Sequence, residues 1–397
     1  MILIASTGYI PHVGGKSTHI TDLKDALNLL NYKTTVVSYT NINKKLTYFT
    51  KLLLSPLRMV SEEMYRYYLE GIFDFYMSII IKKYIKKNRI KFISAQDPQA
   101  VNICGKIIKN NDIKISLTMH SYFGLSHDNS KNKKSIDKNY VIKRDKKHLE
   151  CFRFIKNIIS VDSRIKKHCI SEIKNYDADL ISKIRVDSIV NFTNINKFNI
   201  ANKIERENSR RKINIDKDKK VLICVRRLVE KNGVIEAVKA MEYVDDNIIL
   251  LVVGKGPQEE NIKNYIKERN LSDKVIMFGQ VLNDNIVELY NLADFAIVPS
   301  ITLNGLQEAT SISAIEAMAC GLPTIASDIG GLSELITNKQ TGILVREKDT
   351  KEISKYINIL ANNDELRNKI SFNARNYIEK NNSHIMAAEK YISKFKE

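Results

Sequence analysis

The chain is poor in the residues that would let it be held together or work through sulfur. Its five cysteines, Cys104, Cys151, Cys169, Cys224 and Cys320, are odd in number, scattered and without a C-x-x-C pair. That argues against a disulfide frame or a zinc site and fits a reducing cytosol. No run reaches the roughly 18 uninterrupted apolar residues needed to span a bilayer. Met1-Ile2-Leu3-Ile4-Ala5 has no basic flank, so it reads as a first strand and not as a signal peptide. Gly254-Lys255-Gly256-Pro257, after the apolar run Ile248 to Val253, is not the G-x-G-x-x-G fingerprint, which leaves hydride transfer without support. No aspartate pair with metal-ligand spacing stands between the strands, and no metal is expected.

What the chain has is length and lysine. Its 397 residues suit two domains of roughly 150 to 200 residues better than one core. With 44% hydrophobic and 27% charged residues, the composition is that of a soluble globular protein. The net charge of +18 is one-sided: residues 1–200 carry 34 Lys and Arg against 17 Asp and Glu, and residues 201–397 carry 29 against 28. Such a field draws the first half toward an anionic partner, whether a phosphate-bearing acceptor, an acidic lipid surface or nucleic acid. A lysine-rich solvated surface accounts for it equally well.

The chain opens as a β-α-β unit: a strand to Ser6, a glycine-bearing loop through Gly14-Gly15, a helix from about Ser17 to Leu30, and a second strand at Thr35 to Ser38. Paired glycines ahead of a helix let backbone N–H groups approach an anion. Residues 46–87 are helical in pattern, with breaks expected near Ser55-Pro56 and around Gly71. Their basic end, Ile79 to Lys87, reads either as core-facing helix with solvated lysines or as a surface resting on an anionic membrane. Further strands are expected at Phe92 to Gln96, Ile113 to Met119 and Ile158 to Asp162. His120 and Asp97 then fall at strand ends, where open α/β sheets bind ligands. The polar run 126–147 reads as a surface loop or frayed helix. Residues 201–220 are charged enough to be a connection, and Ile248 to Val253 is apolar enough to be buried on both faces.

The stretch from Pro299 to Ile336, PSITLNGLQEATSISAIEAMACGLPTIASDIGGLSELI, places Glu308 in a loop and Glu316 eight residues on, in a short helix closed by Gly321-Leu322-Pro323. In that order it resembles the retaining glycosyltransferases of family 4, the glycosyl transferases group 1. Pro11-x-x-Gly14-Gly15, Arg227-Leu228 and Gly254-Lys255-Gly256-Pro257 are similar to further stretches of that family. The resemblance implies an α/β fold of the GT-B type, two Rossmann-like β/α/β domains facing across a cleft. It places an acceptor-binding domain at 1–198, with a final helix at about 380–397 crossing back onto it, and a nucleotide-sugar donor-binding domain at 199–379. It implies transfer of a hexosyl or N-acetylhexosaminyl unit, with retention and without a metal, from a nucleotide diphosphate sugar. UDP-sugar is favoured, and it is a co-substrate and not a cofactor. The implied acceptor is a glycan or lipid-linked intermediate of cell-surface polysaccharide biosynthesis. The protein is then cytoplasmic or peripheral on the inner face of the membrane through its basic first domain, with no nucleic-acid partner.

Residue by residue, the resemblance implies that Glu308 and His120 meet the donor sugar and Glu316 the ribose hydroxyls. Backbone groups of Ala309, Thr310, Ser311 and Ile312 would face sugar and phosphate, and Gly14, Gly15 and Gly254 would line the donor site. Arg227 and Lys231 would offset diphosphate charge. For Glu316 a second reading stands open, because Ser313-x-x-Glu316 has capping-box spacing. The chain also departs from the family twice in one loop: Arg226 stands where Gly is usual, and Asn232 stands five residues after Arg227, where Lys is usual. Lys231, one place short, is expected to reach the diphosphate through an adjusted loop. Nucleotide-sugar epimerases and sugar phosphorylases are rivals on the same architecture. A basic nucleic-acid-binding protein is a rival of another class, but it leaves the acidic stretch from Glu308 to Glu316 unexplained.

Overall fold

The computed structural model describes residues 1–12, 14–108, 112–123, 135–281 and 285–396. The chain divides into two units, one made of Met1–His12, Ile20–Val190 and Ala387–Glu397, the other of Val13–His19 and Asn191–Met386. These divisions fall at 190/191 and 386/387, where the sequence reading places 198/199 and about 380.

The first unit holds six parallel strands, β1 (Ile2–Ser6), β2 (Thr34–Ser38), β3 (Phe92–Ala95), β4 (Lys114–Met119), β5 (Asn157–Ser160) and β6 (Arg185–Ser188), in the order β2-β1-β3-β4-β5-β6. β6 has no counterpart in the sequence reading, because Arg185 and Asp187 interrupt its apolar pattern. It is an edge strand, where charge is tolerated, and Asp187 pairs with Arg185 and with Lys394, each at 3.0 Å. Lys394 belongs to the final helix, His384–Lys396, whose Tyr391 hydroxyl lies 3.2 Å from Thr118 Oγ1 and whose Phe395 stacks on Phe92.

The break expected at Ser55-Pro56 lies elsewhere. One helix runs Lys44–Val60 with Pro56 inside it, and a second runs Glu62–Lys87 through Gly71. The turn between them is Ser61, in extended conformation, whose hydroxyl accepts from the Met64 N–H and so starts the second helix. Gly71 does not break that helix, since tertiary packing outweighs a cost of about 1 kcal/mol. Tyr65, Phe73, Met77 and Ile81 are buried along one face of it. Of the polar run 126–147, residues 135–147 lie within the helix Ser135–Leu149, and 126–134 lie outside the described residues.

The second unit holds β7 (Lys220–Val225), β8 (Ile248–Val253), β9 (Val275–Gly279), β10 (Phe295–Val298), β11 (Thr324–Ser327) and β12 (Ile343–Val345), all parallel, in the order β12-β11-β10-β7-β8-β9. β8 is buried throughout, as its apolar run predicts. Its period of two divides it: Ile249, Leu251 and Val253 enter the core on one face of the sheet, and Ile248, Leu250 and Val252 the core on the other. At about 1.5–3 kcal/mol for each such side chain buried, the central strands hold the unit together.

Residues 201–220 are more than a connection. They form the helix Lys203–Lys212, started by a capping box between Asn202 and Glu205. Its Arg210 is buried and donates to the carbonyls of Leu292, Lys217 and Lys219 and, at 2.7 Å, to Asp294 Oδ2. The charge that reads as solvation is therefore partly a core clamp on the start of β10.

Candidate active site

In the second sheet the strand order reverses between β7 and β10, the two central neighbours. Connections leave these strands toward opposite faces, so a crevice opens beyond their carboxyl ends, and ligands of open α/β sheets bind there. The first residue after β7 is Arg226, and the second after β10 is Ser300.

Arg226 fills this crevice. Its guanidinium is buried and donates from Nη1 to Ser311 Oγ (2.8 Å) and Ser313 Oγ (3.3 Å). From Nη2 it donates to Asn232 Oδ1 (2.8 Å), Ser300 Oγ (2.9 Å) and Glu308 Oε2 (3.0 Å). One side chain thus ties together the loop after β7, the loop after β10, the Glu308 loop and the start of the helix Ile312–Ala319. Its Nε is buried without a hydrogen-bond partner among the described residues. Asn232 is buried too, and its Nδ2 donates to the Arg227 carbonyl at 2.6 Å.

The backbone is packed closely enough here that glycine is required. Gly233 lies in the left-handed region, φ 61°, and a Cβ on it would stand 1.9 Å from the Pro299 carbonyl oxygen. A Cβ on Gly254 would stand 2.0 Å from the Arg226 oxygen, and one on Gly331 2.6 Å from the Thr310 nitrogen. Gly254 therefore acts by letting the loop after β8 press against Arg226. The Gly331 N–H donates to the Glu308 carbonyl at 3.0 Å, fixing the backbone of the Glu308 loop.

The carboxylates sit at two levels. Glu308 is mostly buried beside Arg226. Glu316 is buried inside the helix, and its Oε2 accepts from the Tyr290 hydroxyl at 3.1 Å. The capping-box reading of Glu316 does not hold: the helix starts at Ile312 with Ser311 as its N-cap, so Ser313 lies within the first turn. The Ser311 hydroxyl makes no capping bond and accepts from Arg226 instead. Burial, then the neighbouring Glu316 carboxylate, pushes the Tyr290 phenol well above its ordinary value, so it remains a donor.

Arg227 and Lys231 are exposed, and the Lys231 carbonyl accepts from the Ile301 N–H at 2.9 Å. Their loop is held by backbone while their side chains face solvent. Gly14, Gly15 and His19 belong to this second unit. A Cβ on Gly15 would stand 3.3 Å from Ile312 Cδ1. The buried His19 meets Asn191 Oδ1 through Nδ1 at 3.1 Å, and Asn191 Nδ2 donates to the Thr310 carbonyl at 2.8 Å. Burial lowers the His19 pKa to about 4, against a smaller rise from the Asn191 bond.

The structure thus gathers Gly14, Gly15, Arg227, Lys231, Gly254, Glu308 to Ile312 and Glu316 around one strand-end crevice. His120 lies in the first unit, just past β4, with Nε2 3.0 Å from Gln96 Oε1. Asp97 has a local task there: it caps the helix Pro98–Ile107 and accepts from Ser6 Oγ, Thr7 N and Thr7 Oγ1. Sequence reasoning missed Tyr290, Ser300, His19 and Asn191 as members of the site. The two departures at Arg226 and Asn232 were visible, but their contact was not.

A buried ion pair at the switch point of a Rossmann-like sheet, behind a helix start and an exposed Arg and Lys, offers cations and backbone N–H groups to an anion. Residues 205–377, all within the second unit, match the family model described as Glycosyl transferases group 1. The uncharacterized glycosyltransferase MJ1607 of Methanocaldococcus jannaschii is 32% identical over 152 residues, 38% of this chain and 38% of that protein. The putative colanic acid biosynthesis glycosyltransferase WcaL of Escherichia coli is 29% identical over 137 residues, 34% of each. The matched stretch thus spans well under half the length of these curated relatives. In structure, the chain is similar to Anabaena Alr3699/HepE, solved in complex with UDP, with a TM-score of 0.70 at 15% identity, covering 100% of this chain and 99% of that one. The fold is GT-B, with two Rossmann-like units.

Proposed function

We propose that the chain transfers a hexosyl or N-acetylhexosaminyl unit from a nucleotide diphosphate sugar to a glycan or lipid-linked acceptor in cell-surface polysaccharide biosynthesis. The observation that carries this reading is the Arg226–Glu308 pair at the β7/β10 crevice, inside the stretch that matches the glycosyltransferase family. UDP is the favoured nucleotide, a choice supported by the UDP bound in the related Anabaena protein.

In the proposed reaction the bond from the anomeric carbon to the diphosphate oxygen breaks as the acceptor oxygen bonds to the same face. The departing phosphate oxygen takes the acceptor proton, and attack from the face it leaves retains the configuration. Glu308 and His120 orient the sugar, and Glu316 holds the ribose hydroxyls. Arg227 and Lys231, both exposed toward solvent, meet the negative charge that grows on the diphosphate. These two cations take the place of a metal. Backbone N–H groups from Ala309 to Ile312, at a helix start, face sugar and phosphate. The first unit takes the acceptor, and we place the protein on the cytoplasmic side.

Contact with an anionic membrane surface is part of the reading. The helix Lys44–Val60 supports it, because Leu46, Tyr48, Phe49, Leu53 and Met59 are exposed on it beside Lys44, Lys45 and Lys51. Among the described residues no helix is long and apolar enough to cross a membrane.

The deciding experiment incubates the chain with a panel of nucleotide sugars, with and without lipid-linked acceptors, and follows product by NMR. The expected result is acceptor-dependent turnover of a UDP-sugar with an unchanged anomeric configuration. Conversion of the donor alone to its epimer, or turnover only with inorganic phosphate, would overturn it.

A further inference from the structure

We infer that Arg226 is the fixed cation behind this site and that it acts as a positioning residue through Glu308. The inference rests on the transfer reaction proposed above.

Four observations carry it. The two places where the loop departs from its family pattern, six residues apart, are bonded to each other: Arg226 Nη2 donates to Asn232 Oδ1 at 2.8 Å. A lysine at 232 would bring its ammonium against this guanidinium, and two buried like charges repel. Asparagine offers an oxygen to Arg226 and an amide to the Arg227 carbonyl, so it suits a buried cation at 226. Glu308, whose side chain is 14% exposed, is then paired with a guanidinium whose own side chain is 8% exposed, and a carboxylate so placed requires such a partner.

The geometry also fixes how Arg226 acts. Its Nη groups are already engaged by Ser300, Ser311, Ser313, Asn232 and Glu308, and its Nε lies buried. A guanidinium this enclosed orients Glu308 and the Ser311 loop; it does not swing out to a ligand. The planar fork matters, because a lysine ammonium at 226 cannot reach Ser311 on one side and Ser300 with Glu308 on the other.

The test uses the full chain, UDP as binding probe and whichever nucleotide sugar the wild type turns over. Arg226→Gly should lower kcat at saturating donor by about 10²-fold, the scale of a displaced catalytic group, while UDP affinity changes by less than about threefold. Asn232→Lys alone, with two cations in one buried space, should lower the melting temperature. Arg226→Gly combined with Asn232→Lys should recover kcat to within about tenfold of the wild type, a non-additive rescue expected only of residues in contact. Should Arg226→Gly fail to fold, Arg226→Lys keeps the charge and loses the fork, and should lower kcat by about tenfold with UDP affinity retained. A double variant that melts like the wild type yet turns over no faster than Arg226→Gly overturns the inference, as does wild-type kcat in Arg226→Lys. If the wild type neither binds UDP, GDP or ADP nor turns over any nucleotide sugar, the transferase reading itself falls. An active wild type with indifferent Arg226 variants defeats the inference alone.

Discussion

Tyr290 holds Glu316 by its phenol: the hydroxyl donates to Oε2 at 3.1 Å, with both side chains buried and the Ser313 carbonyl 3.3 Å from the phenol oxygen. The carboxylate that a sequence reading assigns to either a cap or a ribose is therefore anchored from behind by a residue 26 positions away. Removing the anchor and removing the charge should separate. Tyr290→Phe removes one donor from a buried acceptor and should cost about 1–3 kcal/mol of stability. Glu316→Gln keeps an oxygen for the phenol, so it should melt closer to the wild type while weakening UDP binding more than Tyr290→Phe does. Thermal denaturation and calorimetry read both, and a Glu316→Gln chain that binds UDP as tightly as the wild type would end the ribose assignment.

Arg227 faces solvent beside the buried Arg226, so reversing its charge should leave folding intact and act on the ligand. Arg227→Glu should weaken UDP binding by at least about tenfold, as expected when a charge-assisted bond to phosphate becomes a repulsion. Lys231→Ala should do less, because only one of two cations is lost. Under the proposed reading, in which these side chains and not a metal meet the diphosphate, affinity should be unchanged by excess EDTA. Loss of binding on chelation would reverse that order of importance.

The fold was legible because parallel strands buried on both faces carry long apolar runs, and Ile248 to Val253 declares itself without help. Edge elements were not: β6 hides behind Arg185 and Asp187, and the helix Lys203–Lys212 hides behind its own charge. Helix breaks were misplaced at Pro56 and Gly71 because local propensity is a weak constraint once a face is packed, and the Ser61 cap decided the boundary. Within the site, residues in short motifs could be named from spacing. Those that hold the motifs in place could not: Asn191 lies far from them in sequence, and Tyr290 and Ser300 carry no spacing that marks them. No one-dimensional pattern says that Arg226 points inward to Glu308 while its neighbour Arg227 points out.

The helix Lys44–Val60 exposes apolar surface that the sequence reading sought further along, at 79–87. There Ile81 is fully buried, whereas on the earlier helix Leu53 is 77% and Met59 92% exposed. The full chain should sediment with phosphatidylglycerol-containing vesicles and far less with pure phosphatidylcholine. Phe49→Glu with Leu53→Glu should abolish that without moving the melting temperature, because neither side chain is part of a core. Equal binding to both vesicle types would remove the electrostatic half of the reading, and no binding to either would remove all of it.

His19 makes the fold sensitive to acid in a direction the geometry fixes. It is fully buried, and burial takes its pKa from an ordinary 6.5 to about 4. Above pH 6.5 the ring is neutral in both folded and unfolded chains, and its contribution to stability is present in full. Between pH 6.5 and 4 the unfolded chain binds a proton that the folded chain refuses, so stability falls as pH falls, by about 3 kcal/mol once the folded pKa is reached. His148, partly buried and lowered to about 4, adds a loss of the same sign over the same window. Replacing the ring with an amide separates the two. His19→Gln can still donate to Asn191 Oδ1 and carries no titrating group, so the pH slope of urea unfolding should shrink to the part His148 supplies. Because Asn191 Nδ2 donates to the Thr310 carbonyl, protonation of the folded ring as pH approaches 4 should loosen the loop beside Ser311, and UDP affinity should decline there more steeply than in His19→Gln. Parallel affinity profiles in the two chains would show that the His19–Asn191 link supports the fold without reaching the ligand.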